Sequence, residues 1–512
     1  MNYYHRQLQA IPEQQLALEI YDGLNDFFLI WAAVLVFSMQ LGFMSLEAGS
    51  VRMKNVKNIV IKNFFDACLA SSTYYAFGYA FTYSKGNGFI GGTKDGSGFF
   101  LSIGNEAETI SYPFYAFQFT FAATSVSIVS GAVAERCTMS SYFTYSLITP
   151  LIIYPVVAHW VWSDSGFLSM TNEVSPGGDT NNIGVIDFAG SGVVHLVGGV
   201  SALVACYMLG PRIGRFELNT DDTMVVRPLY PHSAALQAIG VFILWIGWYG
   251  FNIGSLINFS GQAAGRIFIT TTISASSSAI TAVLITYIWS KSYGFAETSN
   301  SILAGLVSIT AGCATTRIEF SFLIGFVGAV VYLSWSNLML YMHLDDVVDA
   351  VAVHGACGIW GVFAAALFAY GPYVEDIYDI VDSSSSKGVI YGGDGRLVAM
   401  AAVLVFSIIA WVGTTSFILF GTLNYCHSLR VSETLEQIGL DVAEHGGSAY
   451  KYTDYEESPL TIRDVVGHAT ISRTTIVRTG MKSPGSGNGS GNSHTQAHSL
   501  CDTPDTPVPC PS

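Results

Sequence analysis

The sequence predicts an all-α polytopic membrane protein: eleven transmembrane helices, arranged as two inverted five-helix repeats plus a final helix. Three observations carry this. Only 12% of the 512 residues are charged and 51% are hydrophobic, whereas a soluble domain carries about 25% charged residues. Eleven stretches are apolar over the roughly 20 residues that a bilayer-crossing helix needs. An acid–histidine pair recurs at one spacing in the fifth and tenth stretches. So little charge does not solvate a water-soluble body of this size, and the mean hydropathy of +0.44 points the same way. The net charge of −15 offers no bulk attraction for phosphate backbones, so nucleic acid is not an expected partner.

The first segment, 1–26, carries Glu13, Glu19, Asp22 and Asp26. It has no continuous apolar core, so it reads as an extracellular N-terminus rather than a signal peptide, and the first helix acts as the insertion signal. Helices are expected near 27–46, 59–83, 112–134, 140–162, 188–210, 232–254, 265–289, 299–316, 319–342, 350–371 and 396–425. Together they make a transport domain over 27–425. The 52 glycines suit helices that pack closely in lipid.

An odd number of crossings puts the two ends on opposite sides, and Lys/Arg bias in short loops sets the direction. Arg52, Lys54 and Lys57 follow the first helix, and Arg136, Arg212, Arg215, Arg227 and Lys291 fall on the same side. The other loops are longer and acidic. One carries Asp95, Glu106 and Glu108 against Lys85 and Lys94, one Asp164, Glu173, Asp179 and Asp187, and one Glu375, Asp376, Asp379, Asp382 and Asp394 against Lys387. The N-terminus is therefore expected outside and the C-terminus in the cytoplasm. Residues 426–456 read as a cytoplasmic regulatory segment with a short helix over 432–438, capped by Ser432 with Glu436 in its first turn. The remainder, 457–512, ends in a Gly/Ser/Pro-rich run and is expected to be disordered.

Eight cysteines (Cys68, Cys137, Cys206, Cys313, Cys357, Cys426, Cys501, Cys510) form no CxxC pair. Most sit in or beside apolar runs, where cysteine behaves as a small hydrophobe. Neither a disulfide framework nor a zinc site is expected.

The echo runs from Asp187 to His195 in DFAGSGVVH and from Asp346 to His354 in DVVDAVAVH. Glycines follow both histidines closely. Five helices separate the two, so a duplicated unit must enter the membrane with opposite polarity. That is the signature of an inverted repeat, whose interface usually houses a transport path. Ionisable groups inside spans are costly and mark such paths. A single histidine reads equally well as one satisfied by a neighbouring carbonyl. Two related by the repeat favour a shared pore lining in which facing imidazoles share one N–H. Asp187 reads either as a helix cap, accepting from the N–H of Ala189 or Gly190, or as that cap together with an electrostatic role beneath an outer vestibule.

Aromatic residues gather toward the outer helix ends: Phe117, Phe119 and Phe121, then Trp160 and Trp162, then Trp248, Tyr249 and Phe251 with Ser255. An interfacial belt accounts for several of them. An aromatic face with a hydroxyl and an acidic rim is also a cation–π site for a small ammonium-type cation.

With these residues in place, the chain resembles the ammonium transporter family (Amt/Mep/Rh), nearest its plant-type eukaryotic branch. The resemblance spans about 25–452 and rests on GSVRMKNVKN, GAVAER, YPVVAHWVW, GVIDFAGSGVVHLVGG, GPRIGRF, IGWYGFNIGS, ITAGCA, DAVAVHGACGIWG and LRVSETLEQIGLDVAEHGGSAY. It implies a homotrimer in the plasma membrane, one pore per subunit, no cofactor or metal, and no enzymatic activity. It implies ammonium as substrate, with methylammonium as its analogue. By position, Trp162 and Ser255 match an outer recruitment site, together with Phe121 and Asp187. Phe121 and Phe251 match a stacked gate. His195 and His354 match the twin histidines of the lumen, and Thr310 a pore-side threonine. Trp162 and Ser255 together favour high-affinity uptake. One departure stands out: Ala443 occupies a position where plant members carry a regulatory threonine, so a tail switch would need another site, such as Ser432, Thr434 or Ser448.

The resemblance implies that ammonium is recruited, gives up its proton at the Phe121/Phe251 constriction, and is conducted as ammonia past the histidines, with the proton free to follow separately. Two other readings are carried. One is an ammonium sensor signalling through the tail. The other is an intramembrane metal hydrolase using His195, His354 and Asp187, although no HExxH-like spacing is present.

Overall fold

Short hydroxyl side chains start several helices. Ser111, Thr138, Ser233 and Ser260 each accept a backbone N–H of the first turn, which satisfies one of the donors a helix N-terminus leaves unpaired. From these starts the computed structural model, which describes residues 13–92, 98–101, 111–171, 184–380 and 386–450, builds eleven apolar spans.

They are α1 (Glu13–Ser50), α2 (56–83), α3 (Tyr112–Ala132), α4 (Met139–Trp162), α5 (Ser191–Leu209) and α6 (Ala234–Gly254). α7 (Gly261–Ser290), α8 (Phe295–Thr310), α9 (Ile318–Tyr341), α10 (Val351–Phe368) and α11 (Arg396–Tyr425) complete the set. Eight are long and apolar enough alone to cross a membrane; α2, α3 and α8 complete the eleven. The chain-level expectation therefore holds element by element. The largest difference is at α1, which starts at Glu13 instead of near 27. The upstream residues are mostly Gln, Leu, Ala and Glu, strong helix formers that need no apolar run. Expectations for residues 1–12, for Lys94, Asp95, Glu106, Glu108, Glu173, Asp179 and Asp382, and for the tail from Lys451 with Cys501 and Cys510, lie outside the described residues.

The repeat is visible in packing. α1 lies along α6, and α5 crosses α10. These are the first and the fifth helices of the two repeats. At the second crossing a Cβ on Gly199 would stand 2.2 Å from the backbone nitrogen of Gly355, so only glycine lets the backbones meet. Exposed Leu284, Phe326, Phe406 and Ile418 cover outward faces, as expected of helices solvated by lipid. Cys137, Cys206, Cys313 and Cys357 are buried and free.

At one end the short loops interlock through charge. Arg212 donates to Asp345 through Nε (2.7 Å) and Nη2 (2.9 Å) and to Glu135 through Nη1 (2.9 Å). Arg52 donates to the other oxygen of Glu135 at 2.5 Å. Arg212 drives Asp345 well below the usual carboxylate range despite burial, and Arg212 and Arg52 together lower Glu135. The C-terminal segment docks at this same end. Ser432 caps Glu433–Ile438 by accepting from Leu435 N, as its sequence suggests. Glu436 accepts from Ile213 N at 2.7 Å and from Arg430 at 2.8 Å. Lys54 donates to the carbonyls of Glu436 and Gln437, and Asn58 N donates to Asp441 at 3.0 Å.

Candidate functional site

At the end opposite the tail, a cavity of about 280 Å³ opens between the repeats, lined by Phe121, Trp162, Asp187 and Ser255 among others. These four expected residues, scattered over 121–255, are brought together here. Trp162 ends α4, and its indole N–H donates to the carbonyl of Asp187 at 2.9 Å, which fixes the ring. Gly190 turns beneath it with φ +99, and a Cβ there would sit 3.0 Å from the indole. Ser255 caps α6 and donates its proton to the Phe251 carbonyl at 2.9 Å. Its oxygen lone pairs remain to accept from a donor in the cavity.

The floor of the cavity is aromatic. Phe121 and Phe251 stack with ring centroids 4.0 Å apart and planes 20° apart, and Trp162 meets Phe121 edge-on at 5.7 Å. Both phenylalanines are essentially unexposed. The stacked rings therefore leave no room between them for anything hydrated.

Directly beneath, His195 lies 5.5 Å from Phe251, centroid to centroid. Its Nδ1 faces Nδ1 of His354 at 3.2 Å. Two nitrogens at that separation need one proton between them: one ring donates, the other accepts. Among the described residues Nε2 of His195 is buried with no hydrogen-bond partner, and so can bond a small polar molecule.

α5 and α10 open alike. Each begins with a π turn, Ser191–Leu196 and Val351–Ala356, and each turn holds the histidine. Asp187 Oδ2 accepts from Gly192 N (3.0 Å) and Val193 N (2.8 Å), and Asp346 Oδ2 accepts from Val351 N (2.8 Å). Asp187 is thus a cap, and Gly192 and Val193 are its close donors. The N–H of Ala189 bonds the Thr310 carbonyl instead, and left-handed Gly190 delays the helix start to Ser191. Among the described residues Oδ1 of Asp187 is buried without a hydrogen-bond partner. Burial raises the pKa of Asp346, which lies before α10, to about 6.

One participant reads differently in the structure than in the sequence. Trp248 reads there as part of an outer aromatic cluster, yet it is fully buried and lies flat on His195, centroids 4.9 Å apart and planes within 12°. Its indole N–H donates to Thr310 Oγ1 at 2.8 Å. Thr310 therefore stands behind Trp248 and orients it. The clue was present: Trp248, Phe251 and Ser255 are three and four residues apart, one helical face.

At the tail, Ser432, Thr434 and Ser448 are exposed, as is Ala443.

The fold and site define a class: a polytopic membrane transporter with stacked aromatic side chains beside paired histidines where the inverted repeats meet. The model of the Ammonium Transporter Family matches residues 26–450. Ammonium transporter 1 member 2 of Oryza sativa subsp. japonica is 39% identical over 435 residues, 82% of this chain and 85% of that protein. Its namesake in Arabidopsis thaliana is 38% identical over 80% of each chain. A solved structure titled Sensor Amt Protein superposes with a TM-score of 0.72 at 31% identity, covering 83% of this chain and 99% of that one. The chain belongs to the ammonium transporter family.

Proposed function

We propose that the protein takes up ammonium with high affinity across the plasma membrane, with its tail in the cytoplasm and three copies assembled as a homotrimer. The observation that carries the mechanism is the vertical order of groups: a cation-type aromatic site, a stacked gate, then coupled imidazoles. Trp162 and Phe121 offer π faces and Ser255 an acceptor. Ammonium satisfies these because it donates hydrogen bonds; sodium and potassium do not. A bare charge below the gate would be very costly, so ammonium yields its proton there and ammonia passes His195 and His354. Acidic outer loops gather cations, and the Lys/Arg weighting of the opposite loops supports the orientation.

The test is flux into vesicles of purified protein. Ammonium and methylammonium should enter and potassium should not. Equal potassium entry would overturn the reading. A sensing role can coexist with transport: the tail segment is clamped onto Lys54, Asn58 and Arg430, and a neighbour of 31% identity is titled a sensor. Truncation after Tyr425, with flux and signalling scored separately, distinguishes the two.

A further inference from the structure

A second small cavity lies on the other side of the histidine pair. His354 and Glu47 line it, and every other lining residue is apolar, including Phe43, Ile128 and Val353. Its volume is about 10 Å³, roughly the space of one water molecule. Proton transfer across one intervening water is within ordinary reach.

Glu47 lies within a membrane helix and is 1% exposed. Among the described residues no lysine, arginine or histidine forms an ion pair with it. Ser130 Oγ donates to one carboxyl oxygen, and Asn63 Nδ2 donates to the other at 2.6 Å. These bonds, from α3 and α2, fix the group's position. Each oxygen keeps a lone pair. A carboxyl group held this deep without a cation is costly and marks an ion or proton path by default.

We propose that Glu47 is the proton-exchange group at the inner end of the pore. This rests on the reading that ammonia and its proton cross separately. The proton released at the gate reaches the imidazole pair. A His354 N–H bond then breaks and a Glu47 O–H bond forms across the small cavity. Ammonia leaving the histidines takes that proton: the O–H bond breaks, the fourth N–H bond forms, and ammonium departs. The carboxylate is restored. One proton enters and one leaves, and nothing is oxidised or reduced.

The test uses the full-length protein in vesicles, with labelled methylammonium as the probe. E47Q keeps the shape and one of the two accepting oxygens but cannot cycle a proton. Its uptake should fall roughly a hundredfold at an unchanged half-saturating concentration, and E47D should recover part of it. Wild-type protein should also show an ammonium-induced carboxylic-acid C=O band in infrared difference spectra, shifted in E47D. This second readout decides the matter if E47Q fails to fold. E47Q uptake within twofold of wild type, or a wild-type spectrum without that band, or a band unmoved in E47D, overturns the proposal. Wild-type vesicles that take up no methylammonium at all would instead overturn the transport reading beneath it.

Discussion

Nδ1 of His195 and Nδ1 of His354 face each other at 3.2 Å across the interface of the two repeats. The separation requires a shared proton, so the two rings act as one unit with one tautomer each. What surrounds them sets how well the unit holds.

Trp248 presses on His195 and is itself held by Thr310. The substitution T310V keeps the volume and removes the acceptor, leaving a buried indole N–H unpaired at a cost of about 1–3 kcal/mol. Maximum methylammonium uptake should drop several-fold while the half-saturating concentration stays put. T310S should restore it. Uptake assays on the two variants check this.

The outer site predicts the opposite pattern. On the proposed reading, Trp162 and Ser255 contact the cation before the stacked phenylalanines, so W162A and S255A should raise the half-saturating concentration and spare the maximum rate. Cation–π contacts are worth about 0.5–2 kcal/mol, so W162A should shift it by roughly 2- to 30-fold. Concentration series for uptake decide between this and a lowered maximum.

Asp187 separates a cap from a charge. In D187A the N–H groups of Gly192 and Val193 lose their acceptor, and the thermal midpoint should fall, for a cost of about 1–3 kcal/mol. D187N retains an oxygen acceptor and should recover most of that stability. If the charge also serves transport, D187N will be folded yet poorly active. Thermal unfolding and uptake on the same preparations give both answers.

How much of this could be read from the sequence follows from physical range. Long apolar runs are local, so, apart from the early start of α1, the eleven helices appear within a few residues of where the runs place them. The histidines and Asp187 stand out because a polar group in an apolar run is costly. The role of Trp248 does not stand out, since a tryptophan near a helix end equally fits an interfacial belt; only its contact with His195, more than fifty positions away, shows otherwise. The π turns of α5 and α10 depend on caps from Asp187 and Asp346, which no local propensity encodes. Glu47, in LEAGSVR just past the expected end of the first helix, carries no local signal of its own; Ser130 and Asn63 single it out by closing around it from other helices.

The charge clamp beneath the tail has an acid limit. Asp345 is held well below its usual value of 3.8 by Arg212. A depressed carboxylate contributes stability that is full above its unfolded value and is lost as pH falls through its folded one. The clamp should therefore hold at neutral pH and weaken only below about pH 4. D345N removes a partner of buried Arg212, and breaking such a pair costs about 3–5 kcal/mol. Its thermal midpoint should fall markedly at pH 7, and its acid dependence should flatten. Thermal scans from pH 3 to pH 8 test both.

The central claim is that the imidazole pair makes the pore selective. Its most direct test is the double variant H195A/H354A in vesicles, with ammonium and sodium entry measured side by side against wild type. The account predicts that selective ammonium uptake is lost while the protein remains folded and in the membrane. Ammonium entry at the wild-type rate with sodium still excluded would contradict it.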